Sequence, residues 1–290
     1  MGPDEAAHNP FLSARLPVLR SLLGGAVPTT RMPARAHSGE REAASAPLDA
    51  GLGVAGLPQS GTGQASLLTG RNAAQHFGHH FGPWVPVRLR PLVESESVLR
   101  RAVAAGIPTA FANAYPAGWP GPGGSRRVAG PPLAARGAGL LNRDHRHLAR
   151  GEAVATEIDN HGWRHRLGFA ALPEVAPQAA GRTLGRIAAR HRLTLWAHYA
   201  TDTAGHRGGM AGARAALERV DTFLGGVLET LPRGHLLMLV SDHGNIEDVR
   251  GGHTRNPALT LLAGPEAVER SRTLETLLDP APRILEWLGA

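Results

Sequence analysis

The sequence predicts an α/β fold whose sheet is mostly parallel and sandwiched between helices. Two observations carry that expectation. From about residue 178 onward, stretches with helical periodicity alternate with short continuous apolar runs such as Leu236-Leu237-Met238-Leu239-Val240. An unbroken apolar run suits a strand buried on both faces, whereas a strand wetted on one face alternates. A length of 290 residues also suffices for one large core domain, or a core with a smaller insert, without disulfides to support it.

Taken in order, helical periodicity covers residues 9–23 and stops at Gly24-Gly25. Residues 31–47 are small, polar and irregular, and read as a loop. The glycine-rich run 51–63, which contains Pro58, turns into a helix over 63–74. A helix over 94–105 leads through Gly106 into a strand over 107–113. Pro and Gly then crowd residues 116–132, and apolar periodicity stays weak as far as Pro177, with Arg and His clustered. The stretch 116–177 therefore reads as an insert or cap over the active site, and 1–115 with 178–290 as the core. Regular alternation resumes with a helix over 178–191, a strand over 193–199 and a helix over 212–231. Strands over 235–240 and 258–262 follow, then a helix over 272–288.

Composition excludes several chemistries. Without a single cysteine, thiol nucleophiles, zinc–thiolate sites and disulfide scaffolds are ruled out. No apolar run is long enough to cross a bilayer, and residues 1–10 lack the basic-then-apolar layout of a signal peptide. A cytoplasmic protein with no membrane partner is expected. Net charge is +7, and all 31 basic residues are Arg. Alongside abundant Ala, Gly and Pro, this reads as genome composition. Aromatic residues make up only 4% and do not interleave with a basic stripe, which argues against nucleic acid as a partner.

Three segments end an apolar run and at once present metal-binding side chains, which in α/β sheets is where reactive groups gather. In the first, Asp202 and His206 lie four apart, a spacing that puts a carboxylate and an imidazole on one side of a helical turn. In the second, Asp242 and His243 follow five apolar residues, and Gly244 permits a tight bend. The third carries His253 on the turn Gly251-Gly252-His253-Thr254. With 15 histidines in the chain, any one of them is unremarkable. Three such segments together form a two-metal constellation, and mixed carboxylate and imidazole ligands suit manganese, zinc or iron rather than calcium. Upstream, Ser60 stands at the entry to a helix, where free N–H groups favour an anion and a bound metal would activate the hydroxyl. A plain helix cap is the alternative reading of that serine.

These segments resemble the alkaline phosphatase superfamily, in particular its branch with cofactor-independent phosphoglycerate mutase and phosphopentomutase. The motifs that carry the resemblance are Asp202-x-x-Gly205-His206, Ser241-Asp242-His243-Gly244-Asn245 and Gly252-His253-Thr254-Arg255-Asn256-Pro257. The run from Pro58-Gln59-Ser60-Gly61-Thr62 to Leu67-Leu68-Thr69-Gly70 looks like the nucleophile helix of that family. The resemblance implies an alkaline phosphatase-like fold and a metal-dependent phosphomonoesterase or small phosphomutase working through a phosphoserine. Two divalent cations, Mn2+ or Zn2+, and a small phosphorylated substrate are implied with it. Counting back from Gly70 selects Ser60 as nucleophile, with Thr62 as the fallback. Asp202, His206 and His253 would form one metal site, and Asp242, His243 and the Ser60 oxygen the other.

Arg143, Arg146, Arg164 and Arg166 of the insert are candidates to grip the rest of the substrate through forked hydrogen bonds, a solvated basic face being the alternative. His76, His79 and His80 are candidates for the site mouth. Gln64 stands where a sulfatase would need Arg, which disfavours sulfate esters. The family's opening strand, which ends in an Asp-Gly pair, has no counterpart before Met1-Gly2-Pro3. The expectation is therefore a late start, with a core strand and one metal ligand missing. The rival function is a catalytically inactive family member that binds phosphate ligands or nucleic acid through its arginines.

Overall fold

The computed structural model describes residues 1–121 and 127–290. Within the stretch 116–177, residues 122–126 thus lie outside the described residues. In chain order the structure begins with helices α1 (Pro10–Ser13) and α2 (Pro17–Leu22), then strands β1 (Arg35–Ser38) and β2 (Glu42–Leu48). Helices α3 (Ser60–Thr69), α4 (Ala73–Phe77), α5 (Arg90–Glu96) and α6 (Val98–Ala104) follow, then strand β3 (Thr109–Phe111). Next come α7 (Gly130–Gly137), α8 (His145–Ala149), α9 (His161–His165), α10 (Pro177–Ala188) and strand β4 (Leu193–Leu195). The chain closes with α11 (Ala200–Arg207), α12 (Gly209–Thr230), β5 (Leu237–Val240), β6 (Ala258–Ala263), α13 (Ala267–Ser271) and α14 (Pro280–Leu288).

The fold is α/β, but its sheets correct the expectation of a mostly parallel one. The main sheet has strand order β1-β2-β6-β5, and every neighbouring pair in it is antiparallel. Among the strands of the described residues, only β3 and β4 pair in parallel, as a separate two-stranded sheet. The reason is visible in the chain path. β5 and β6 follow one another through the 241–257 loop, so β6 returns alongside β5 with no crossover helix between them. Helices nonetheless cover both faces of the main sheet, and its strands obey the period of two. Leu237, Leu239, Leu261, Ala263 and Ala43 pack with α2 and α12 on one face. Met238, Val240, Ala258, Leu262 and Leu48 pack with Ala267, Leu274 and Leu277 on the other.

Other departures have local causes. The expected helix over 9–23 is two helices, because proline disfavours helical geometry in the residue before it and Leu16 precedes Pro17. The expected loop over 31–47 is the β1–β2 hairpin. Its alanines fit an interior strand, and Ala43 and Ala44 are fully buried opposite Ala263 and Leu262. The helix over 94–105 breaks at Ser97, whose hydroxyl caps Arg100 N–H and so starts α6. The helix over 272–288 begins only at Pro280, and Asp279 closes the preceding turn by accepting N–H bonds from Glu275 and Thr276.

Two packing features set the frame of the site. α10 and α12 cross with backbones touching, because a Cβ on Gly226 would lie 2.9 Å from the Gln178 carbonyl carbon and 3.1 Å from Arg182 N. α7, inside the 116–177 stretch, buries Leu133, Ala134 and Ala135 against Leu68 of α3 and Val93 of α5.

Candidate active site

Helix α3 carries Ser60 at its first position and is buried nearly all round, which its small residues make possible. A Cβ on Gly61 would strike the Phe81 and Trp84 carbonyls, and one on Gly63 would lie 2.7 Å from the Asp242 carbonyl oxygen. The loop leading to Trp84 is fastened over the first turn, with Thr62 N–H donating to the Phe81 carbonyl at 2.9 Å. The Thr62 hydroxyl accepts from Phe81 N–H at 3.1 Å and donates to the Gln59 carbonyl at 3.3 Å, so it faces loop backbone. Ser60, by contrast, places Oγ 2.8 Å from His243 Nε2.

The three metal-binding segments arrive from different elements. Asp202 and His206 project from α11, the helix that follows β4; Asp242 and His243 sit just past the end of β5; His253 lies on the loop that leads into β6. The structure brings all five together beside Ser60. Asp202 Oδ1 lies 3.5 Å from His206 Nε2, 3.6 Å from His253 Nε2 and 3.9 Å from His243 Nε2. His206 Nε2 and His253 Nε2 are 3.1 Å apart, and Asp242 Oδ1 is 3.7 Å from His243 Nε2. His243 thus stands between the two aspartates, and Asp202, His243 and His253 offer ligand atoms that all lie within 4.8 Å of one another.

The donor set fits a divalent cation. A tetrahedral ion with bonds of about 2.0–2.1 Å spaces its ligands by about 3.3–3.4 Å, close to the separations above. Tautomers point the same way. His253 Nδ1 lies 2.8 Å from the Pro58 carbonyl, and His243 Nδ1 lies 3.3 Å from the Gly244 carbonyl. Each Nδ1 therefore carries a proton, which makes each Nε2 the nitrogen turned inward, where a cation or a second proton would sit, as in metal-binding histidines. Facing lone pairs on His206 and His253 at 3.1 Å need a proton or a cation between them.

Electrostatics favour a charged aspartate. Burial by itself would raise the Asp202 pKa, but hydrogen bonds from His253 and Asn245 and the nearby imidazoles hold it below its usual value. Conversely, burial would lower His253, yet its bonds to Asp202 and Pro58 lift it above the ordinary histidine value. Beside the cluster, the Tyr115 and Tyr199 hydroxyls lie 3.4 Å apart. Burial pushes Tyr115 up to about 12 and Tyr199 well above its usual value, so both stay protonated donors at neutral pH.

The remaining candidates are placed as follows. Arg143 spends its guanidinium on the carbonyls of Phe111 and Glu152. Arg146 is held by Asp144 at 2.8 Å, Arg164 donates to the Leu172 carbonyl at 2.7 Å, and Arg166 is exposed. His79 packs against Phe77 and Phe81, His76 is exposed, and His80 Nε2 is buried without a partner.

Sequence reasoning missed several supporting residues. Gln64, one turn after Ser60, donates to Asp242 Oδ2 at 3.0 Å and accepts from Gly130 N–H at 2.9 Å, joining α3 to α7. Its position at i+4 from Ser60 was the available signal. Asn245 donates its amide to Asp202, and Glu247 accepts from Asn245, Thr254 and Asn256. Nothing in their spacing marks these contacts in advance.

Residues 178–290 match the family described as the Metalloenzyme superfamily. The 2,3-bisphosphoglycerate-independent phosphoglycerate mutase of Desulforudis audaxviator is 41% identical over 96 residues, which is 30% of this chain and 19% of that protein. The enzyme of the same name from Syntrophotalea carbinolica is 35% identical over 127 residues, 40% of this chain and 25% of that protein. The chain therefore spans only 19–25% of the length of these curated relatives. Among solved structures, the PH0037 protein from Pyrococcus horikoshii superposes with a TM-score of 0.54 over 97% of this chain and 90% of that one. At 11% identity this is a likeness of fold alone. The matched residues 178–290, which carry all five converging aspartates and histidines, are thus similar to the Metalloenzyme superfamily and to cofactor-independent phosphoglycerate mutases.

Proposed function

We propose that the chain performs metal-dependent phosphoryl transfer on a small phosphorylated substrate, as a phosphomonoesterase or small phosphomutase, with Ser60 as nucleophile. The observation that carries this reading is the Ser60 hydroxyl 2.8 Å from His243 Nε2, at the edge of a cluster of inward-facing imidazole and carboxylate ligands. Asp202, His206 and His253 would hold one divalent cation, and Asp242, His243 and the Ser60 oxygen a second. Divalent metal ions in such a site supply Lewis acidity, lowering the pKa of the serine hydroxyl and offsetting charge on the phosphoryl oxygens.

The chain's own residues then do the following. Ser60 Oγ forms a bond to phosphorus while the ester P–O bond breaks, and the serine proton ends on the leaving alcohol. Gln64 holds Asp242 in place through its amide. Asn245 does the same for Asp202. In the second step water, or another hydroxyl of the same substrate, takes the phosphoryl group from Ser60. Of the two hydroxyls at the start of α3, Ser60 is favoured because the Thr62 hydroxyl is engaged with Gln59 and Phe81.

Metal analysis of the purified chain, combined with a screen of phosphate monoesters, diesters and sulfate esters, tests the reading. Bound manganese or zinc and turnover of monoesters are expected, with a phosphoserine at Ser60 detectable by mass spectrometry. Ser60→Ala should abolish turnover while metal binding stays largely intact, since the other ligands remain. Hydrolysis that persists unchanged in that variant would remove Ser60 from its role.

A further inference from the structure

We propose that Glu247 is a positioning residue whose buried carboxylate ties the turn carrying His243 to the turn carrying His253, and thereby sets the spacing of the metal ligands. The inference rests on the metal site proposed above. Glu247 is 4% exposed, and its two oxygens serve opposite sides of the site. One accepts the Asn245 backbone N–H. The other accepts the Thr254 hydroxyl and, at 3.1 Å, the Asn256 amide.

Each of these donors adjoins a ligand. Asn245 lies two residues after His243, and its own side-chain amide donates to the carbonyl and carboxylate of Asp202. Thr254 immediately follows His253. The two turns meet backbone to backbone as well, with Thr254 N–H donating to the Gly244 carbonyl at 3.0 Å. A Cβ on Gly244 would come within 2.7 Å of Glu247 Oε1 and 3.1 Å of the Asn256 carbonyl, so glycine is what lets the carboxylate enter. One carboxylate thus controls, at one or two removes, where Asp202, His243 and His253 present their ligand atoms.

The chemistry demands a carboxylate rather than its amide. A carboxylate is acceptor-only on both oxygens, and charge-assisted bonds to it are about twice as strong as neutral ones. In Glu247→Gln the charge assistance is lost, and the new NH2 group must either face the Asn245 N–H or make the Thr254 hydroxyl and the Asn256 amide turn round to accept, so the clamp loosens. The other loops of the fold would be untouched.

The test is metal affinity of the folded 290-residue chain, read by competition with a chromophoric chelator for Zn2+ and for Mn2+. Glu247→Gln should weaken binding by about 10–100-fold, the range typical of groups that orient metal ligands. Thr254→Val removes one donor and should weaken binding several-fold, while Thr254→Ser keeps the hydroxyl and should restore parent affinity. If Glu247→Gln does not fold, the Thr254 pair decides. A role confined to stability would lower the melting temperature without changing affinity in the folded protein, and that result overturns the proposal. Parent protein that binds neither ion would overturn the proposed function itself, an outcome distinct from equal affinities in parent and variants.

Discussion

Gly205 is where the fold and the candidate site constrain each other most tightly. It lies on α11 between Asp202 and His206, pressed against the Asn245 carboxamide. A methyl group there would sit 2.7 Å from Asn245 Cγ and 3.0 Å from Ile246 N, with Oδ1 closer still. Ordinary contact between carbon atoms is about 3.5–4.0 Å, so something must give by several tenths of an ångström or more. If Asn245 withdraws, its bond to the Asp202 carboxylate is lost, at a cost of about 1.5–3 kcal/mol for a charged partner. If α11 slides instead, overpacking costs about 1–3 kcal/mol.

Gly205→Ala should therefore lose about 1–3 kcal/mol. For a chain of 290 residues the unfolding entropy is about 0.6 kcal/mol/K, so the loss equals a fall of about 2–5 °C in melting temperature. Either relief moves Asp202 away from His243 and His253, so Zn2+ affinity should drop at least about tenfold. Gly212 supplies the control. It lies inside α12 with open space where a Cβ would go, so Gly212→Ala should be neutral or stabilising by up to about 1 kcal/mol. Thermal melts followed by circular dichroism, with and without Zn2+, read both effects. Indistinguishable melts and metal affinities for the two alanine variants would refute the packing argument.

The α10–α12 crossing makes a prediction independent of the site. The three atoms nearest a Cβ on Gly226 are backbone atoms of Gln178 and Arg182, which cannot rotate aside, so Gly226→Ala should cost about 2–3 kcal/mol in urea unfolding. A loss under about 0.5 kcal/mol, the range of neutral surface changes, would contradict it. Acid stability offers another. The Arg146 guanidinium, against the opposing effect of burial and with help from His147, holds the Asp144 carboxyl far below its usual value. A depressed folded pKa stabilises above the unfolded value of about 3.9 and loses that contribution as pH falls below it. Asp144→Asn should then flatten the fall in melting temperature below about pH 4, and an unchanged acid limb would exclude Asp144 as a source of that fall.

What the sequence determined by itself was chiefly local. The helix stop before Gly24-Gly25, the apolar strands at 237–240 and 258–263, and the three metal-binding motifs are written in runs of a few residues. Their signal is hydrophobic periodicity and the placement of ionisable groups straight after apolar stretches. Strand direction and order were not written there, because an apolar run reads the same whichever neighbour it pairs with. The alanine-rich β2 was equally hidden, since residues 42–48 look like loop until Ala263 and Leu262 lie opposite them. Tertiary structure alone decided which ligands meet, that His243 stands between the two aspartates, and that Glu247, Asn245 and Gln64 hold them. Those contacts join residues up to 178 positions apart, and hydrogen-bond partners at such range depend on how elements pack rather than on any spacing along the chain.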